Sequence, residues 1–146
     1  MAKYGAASRE QRATLHQDLQ LIVDEVIKFY DHSLLQGHRD EEGQTKVFEA
    51  GRSKTPWPDS NHNPLPSRAF DFAPYPIDWG TSGTSKERAK AIARFYFLGG
   101  MFVAVAEILK AQGKITHSVR WGGDWDGDGE FTDQSFDDLG HVELTR

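Results

Sequence analysis

Two histidines and two carboxylates concentrate the chemistry of this chain in two short stretches. His62 and Asp71 lie in SNHNPLPSRAFDF (residues 60–72), and Asp138 and His141 lie in DDLGHVEL (residues 137–144). His62, Asp71 and His141 together make a ligand set for a catalytic zinc, which takes three protein ligands and keeps a fourth position open for water. Asp138, three residues before His141, is placed to take the proton that such a water must lose. The chemistry expected of this set is hydrolysis. Read singly, each member has an ordinary alternative. Asp71 stands between two phenylalanines, where an unpaired carboxylate is costly and needs a cation, an arginine such as Arg68, or several hydrogen bonds. His141 alternates with Val142 and Leu144 and shares a strand face with Glu143. A lone strand histidine is more often structural than metal-binding.

Composition narrows the choices. The chain has no cysteine, so disulfides and thiolate metal sites are excluded and any transition metal must use His and carboxylate. Its 146 residues suit one domain, 1–146, with a real core. Net charge is −5, but residues 120–143 hold eight acids against one base, Arg120, so the acidity belongs to one segment. No Lys/Arg run suggests nucleic-acid binding. The N-terminal MAKYGAASREQR has no signal-peptide apolar core. The most apolar run, 89–109, is interrupted by Arg94 and Glu107 and reads as a buried helix rather than a membrane insertion.

The acidic segment carries a second candidate. Asp124, Asp126, Asp128 and Gly129 have the Asp-x-Asp-x-Asp-Gly spacing of a calcium loop, with Ser135 where a bidentate Glu would stand. The alternative is a solvated acidic turn. Calcium there would order the loop close to Asp138 and raise activity.

The elements that must position these residues follow from periodicity. Leu15, Leu19, Ile22, Val23, Val26, Ile27 and Tyr30 predict one amphipathic helix from Ser8 to about His32, with His16 and His32 as surface or boundary residues. Ser33 to Arg39 reads as a short extended segment. Asp40 caps a helix from Glu41 to about Ala50. Residues 52–68, with four prolines, form a loop. Ala69 to Tyr75 reads as a strand, Ser85 to Gln112 as a long helix, Ile115 to Trp121 as a strand and His141 to Leu144 as a final strand. Gly99 and Gly100 inside the long helix predict close backbone packing or a kink. Trp57, Trp79, Trp121 and Trp125 flank the motifs and could line a groove or fill the core. His38 and His117 fall outside the ligand set, His117 as a structural residue.

SNHNPLPSRAFDFAPYPIDW, RWGGDW and DDLGHVEL resemble the motifs of zinc peptidases of the D-Ala-D-Ala carboxypeptidase group, and among these the bacteriophage endolysins that are L-alanyl-D-glutamate endopeptidases. The resemblance covers roughly residues 33–144. It implies an α+β fold, a small antiparallel sheet with covering helices, of the hedgehog/DD-peptidase kind. Ser60, His62, Ala69 and Asp71 match the family's Ser-x-His and Ala-x-Asp, which makes His62 and Asp71 zinc ligands and leaves Ser60 beside them as a substrate-side or supporting residue. Asp138 and His141 match its base and third ligand. Gly37 and Arg39 match its Gly-x-Arg, whose arginine steadies the developing oxyanion. The His62–Asp71 spacing is longer than the family's common form, and Gly140 stands where the family has proline, which predicts a looser turn before His141. The implied substrate is the peptide stem of bacterial peptidoglycan, cut by a monomer that waits in the host cytoplasm until a holin opens the membrane. A D-Ala-D-Ala carboxypeptidase, or a non-catalytic metal-stabilised wall-binding domain, would fit the same residues.

Overall fold

The structure, a computed structural model, describes residues 1–145. Four strands, β1 (His32–Gln36), β2 (Ala69–Pro74), β3 (Val119–Gly122) and β4 (Asp138–Leu144), form an antiparallel sheet in the order β1-β2-β4-β3. Four helices, α1 (Ala6–Ala13), α2 (Gln17–Val26), α3 (Glu41–Glu49) and α4 (Ser85–Ala111), accompany it. The fold is α+β, as expected.

The core forms where aromatic strand residues meet α4. Phe70 and Phe72 of β2 are fully buried and pack edge-on against Phe102, with ring centroids 5.1 and 4.9 Å away. Phe95, Leu98, Phe102, Ala106 and Leu109 recur at three- and four-residue steps along α4 and are all buried. Each large apolar side chain so covered contributes about 1.5–3 kcal/mol. Thr84 starts the helix with a capping box to Glu87. Gly99 is there for contact: a Cβ at that position would lie 2.3 Å from the Trp121 ring, so the indole lies directly on the helix backbone. By length and composition α4 could cross a membrane, yet one face of it is buried against the sheet and α2, while Phe97 and Ile108 are exposed.

Three expectations need correction. The single helix expected over residues 8–32 is two helices. Residues 14–16 leave helical geometry because Leu15 bridges Ser67, with Ser67 N–H donating to Thr14 O (2.8 Å) and His16 N–H to Ser67 O (2.8 Å). His32 is no surface residue: it opens β1, is buried, and hydrogen-bonds the Tyr4 hydroxyl and the Tyr30 carbonyl. The strand expected from Ile115 begins only at Val119. Asp18 Oδ2 accepts from Thr116 N–H (3.0 Å) and His117 N–H (3.2 Å) and meets His117 Nδ1 (2.7 Å), which keeps those residues out of the ladder.

Candidate active site

Strand register brings the two motifs together. Asp71 of β2 lies directly opposite His141 of β4, and its side chain points to the face away from Phe70 and Phe72. His62 arrives from the Pro-rich loop, which is laced to the sheet by Arg39 N–H to His62 O (2.8 Å) and Arg68 N–H to Asn61 O (2.9 Å). Ser60 Oγ accepts from His62 N–H at 3.2 Å, so Ser60 shapes the turn that presents the imidazole. Arg68 does not pair with Asp71; it donates to Thr145 O.

The three side chains meet at one oxygen. Asp71 Oδ1 is 3.2 Å from His62 Nε2 and 3.1 Å from His141 Nδ1. The opposite ring nitrogens are pinned: His62 Nδ1 lies 2.7 Å from Gly37 O and His141 Nε2 lies 2.8 Å from Glu143 Oε1. A carbonyl can only accept, so His62 carries its proton on Nδ1 and, when neutral, aims a lone pair at a carboxylate. His141 faces carboxylates on both sides with one proton when neutral. Two ring nitrogens thus converge on one carboxylate oxygen, an arrangement that protons on the rings or one divalent ion would satisfy. The donor set, two imidazoles and a carboxylate with ligand atoms within 4.8 Å of one another, fits a metal such as zinc.

The groups of the cluster shift one another's protonation. Burial opposes the charge on His141, but hydrogen bonds to Asp71 and Glu143 outweigh it and raise the ring to about 10. Burial also pushes Asp71 up, but hydrogen bonds from His141 and His62 hold it well below the ordinary carboxylate range. Glu143, likewise buried, is held down at about 2 by His141 and Arg120. Asp138 moves the other way. Desolvation raises it above an ordinary aspartate, which suits a group that must take and return a proton.

Asp138 opens β4 and lines the same cavity, of about 300 Å³, as His62, Asp71 and His141. Arg39 reaches that cavity too, with Nη2 at 3.5 Å from Asp71 Oδ2 and Nη1 at 3.0 Å from Gln44 Oε1. All four residues of the two motifs, with Arg39 and Ser60, are thus gathered around one cleft. Gly140 does not loosen the turn before His141. A Cβ there would sit 2.6 Å from Phe72 O, so glycine lets β4 close tightly on β2.

Residues 1–145 match the family model for phage L-alanyl-D-glutamate peptidases. The chain belongs to that family. A comparison with curated proteins finds no match. Among solved structures, the Serratia marcescens L-Ala D-Glu endopeptidase ChiX shares the fold, with a TM-score of 0.62 and 21% identity over 98% of this chain and 90% of that one.

Among the described residues, this phage-peptidase chain contains two further groups of metal-binding type. Asp124, Asp126 and Asp128 each offer an oxygen within 4.8 Å of the others, and Asp124 Oδ1 is buried without a hydrogen-bond partner. His16, Asp18 and His117 also cluster, but Asp18 Oδ2 already receives two backbone N–H donors and the Thr116 hydroxyl. That group joins α2 to the approach of β3, in line with the structural role expected of His117. Sequence reasoning missed Gln44, which is fully buried and holds Arg39, Asn63, Ser53 Oγ and Thr55 O together. No sequence signal marked it. Glu143 carried one, its shared strand face with His141.

Proposed function

We propose that this protein is a zinc-dependent peptidoglycan endopeptidase that hydrolyses the L-alanyl-D-glutamate bond of the stem peptide. The observation that carries the metal is the convergence of His62 Nε2 and His141 Nδ1 on Asp71 Oδ1, a donor set of two imidazoles and a carboxylate. Family membership supports the peptidase activity and the bond. His62, Asp71 and His141 would hold the ion. When bound there, zinc supplies Lewis acidity and lowers the pKa of water at its open position to about 7.

The chain's own groups supply the rest. Asp138 takes the proton of the attacking water and delivers it to the leaving amine, and its raised pKa favours that return. Arg39, anchored by Gln44 and lining the same cavity, shares the charge that develops on the carbonyl oxygen. Glu143 and the Gly37 carbonyl orient the two imidazoles. Calcium in the loop of Asp124, Asp126 and Asp128 belongs to the same reading, supported by the orphaned Asp124 Oδ1. The enzyme acts as a monomer, held in the host cytoplasm until the membrane is breached and then released to the wall.

The test joins elemental analysis to mass spectrometry of digested wall. The expected result is one zinc per chain and new D-glutamyl N-termini. Asp138→Asn keeps the zinc and lowers turnover by about 10²–10⁴. Release of terminal D-alanine would instead mark a carboxypeptidase. Zinc-loaded protein that cuts neither bond, or metal-free protein that digests wall equally well, would overturn the proposal.

A further inference from the structure

Asp71 and Asp138 line two cavities, one on each side. The first, about 300 Å³, contains Arg39, Arg52 and Lys54. The second, about 440 Å³, is walled by Leu35, Trp79, Ile92 and Phe95; it contains no lysine or arginine, and its one charged residue besides Asp71 and Asp138 is the acid Asp137. The reacting centre therefore sits where a cationic arm of the cleft meets an apolar one.

The cations of the first arm differ in their commitments. Arg39 is engaged by Gln44 and Asp71. Among the described residues, Arg52 and Lys54 form no ion pair, and both are exposed. Lys54 is nonetheless held. Its Nζ lies 4.1 Å from the centroid of Phe136, and Phe136 stacks on Trp125 with the planes 11° apart. Trp125 in turn lies 5.8 Å from the His141 ring. The backbone between and after the two cations is fixed as well, because buried Gln44 Nε2 donates to Ser53 Oγ (3.0 Å) and Thr55 O (2.6 Å). Of the acids in this arm, Glu143 is neutralised by Arg120 and His141, Asp71 and Asp138 belong to the centre, and Asp59 is exposed at the rim. Two cations without an anionic partner, one of them laid over Phe136, line the cleft beside the reacting centre and suit an anionic group of the substrate.

We infer that Arg52 and Lys54 bind the free carboxylate of the glutamyl residue on the amine side of the scissile bond, so that the alanyl side runs into the apolar arm beside Trp79. This rests on the endopeptidase reading above. Glutamate has two carboxyl groups and is joined onward through one, so the residue that supplies the leaving amine keeps a negative charge close to the cut. Alanine presents only a methyl group.

The test uses two synthetic peptides containing the L-alanyl-D-glutamyl bond, one with that carboxylate free and one with it converted to the primary amide. Zinc-loaded wild-type enzyme is expected to favour the free acid by about tenfold in kcat/KM, mostly through KM. In Arg52→Ala/Lys54→Ala the preference should fall towards one, and Lys54→Glu should favour the amide. Zinc content and melting temperature of each variant confirm an intact centre. Lys90→Ala, on exposed α4 surface, should leave both rates unchanged. A wild type that cuts both peptides equally, or variants that lose activity on both in the same proportion, would overturn the inference and leave the endopeptidase standing. A wild type that cuts neither would overturn both.

Discussion

Glu143 offers the sharpest quantitative check on the metal site, because it touches His141 and is not itself one of the three proposed ligands. Its Oε1 accepts from His141 Nε2 at 2.8 Å, its Oε2 pairs with Arg120, and its side chain is only 9% exposed. A carboxylate behind a ligating imidazole fixes the ring and makes its other nitrogen more basic, and removing one typically costs 10–100-fold in metal affinity. Glu143→Gln keeps the shape and an acceptor oxygen but loses the charge, so zinc affinity should fall about tenfold, near 1.4 kcal/mol. Glu143→Ala also leaves the His141 N–H without an acceptor, and its loss should approach about a hundredfold. Arg120 is 49% exposed, and pairs that solvent reaches are worth about 0–1 kcal/mol, so Arg120→Ala should change affinity by less than about fivefold. Competition against a chromophoric chelator measures all three. Equal zinc affinity in Glu143→Ala and wild type would refute the assignment of His141 as a ligand through Nδ1.

Three further outcomes follow from the same coordinates. The metal-free protein should be most stable near pH 6.5, because buried His32, lowered from 6.5 to about 4 by desolvation, adds a contribution that is complete above 6.5 and fades as pH falls towards 4. His141 is raised from 6.5 to about 10 in the fold, so its contribution is complete below 6.5 and fades as pH rises towards 10. Glu143 is lowered from 4.5 to about 2, so its contribution is complete above 4.5 and fades as pH falls towards 2. Thermal melts of the apo-protein across pH should show that maximum, and a curve still rising above pH 8 would contradict it. Gly140→Ala should destabilise by about 1–3 kcal/mol in denaturant titrations, since its methyl group meets Phe72 O; an unchanged midpoint would show that β4 can shift at no cost. Calcium should raise both the melting temperature and the lysis rate of zinc-loaded protein, and Asp124→Asn should remove both gains; equal rates in millimolar calcium and in a calcium-selective chelator would exclude the loop as a calcium site.

The parts of the fold that declare themselves locally were readable. Asp40 caps α3 as its residue type predicts, α4 begins at Ser85 and ends within one residue of the expected Gln112, and the alternation around Asp71 predicts β2 within one residue. What was unreadable came from distant partners. Nothing near Thr14 announces a break, since the bridge to Ser67 comes from a loop fifty residues on. Nothing in 115–118 reveals that Asp18, about a hundred residues earlier, claims its backbone donors. Tertiary hydrogen bonds overrode local propensity in both places.

The reacting centre was more legible than its surroundings for a physical reason. A carboxylate between phenylalanines and a histidine alternating with Val142 and Leu144 are both anomalies of period-two strands, and each demands a partner. Two anomalies of complementary type satisfy each other most cheaply as cross-strand neighbours, which is the pairing that β2 and β4 adopt. Gln44, Arg52 and Lys54 present no such anomaly, because a glutamine in a polar helix and cations in a loop are compatible with solvent. Only the folded arrangement shows that Gln44 is buried and that Lys54 is laid over Phe136. Residues that hold an ion leave a trace in sequence through the cost of burying them. Residues that hold a soluble substrate do not, and for them three-dimensional placement relative to Asp138 carries the argument.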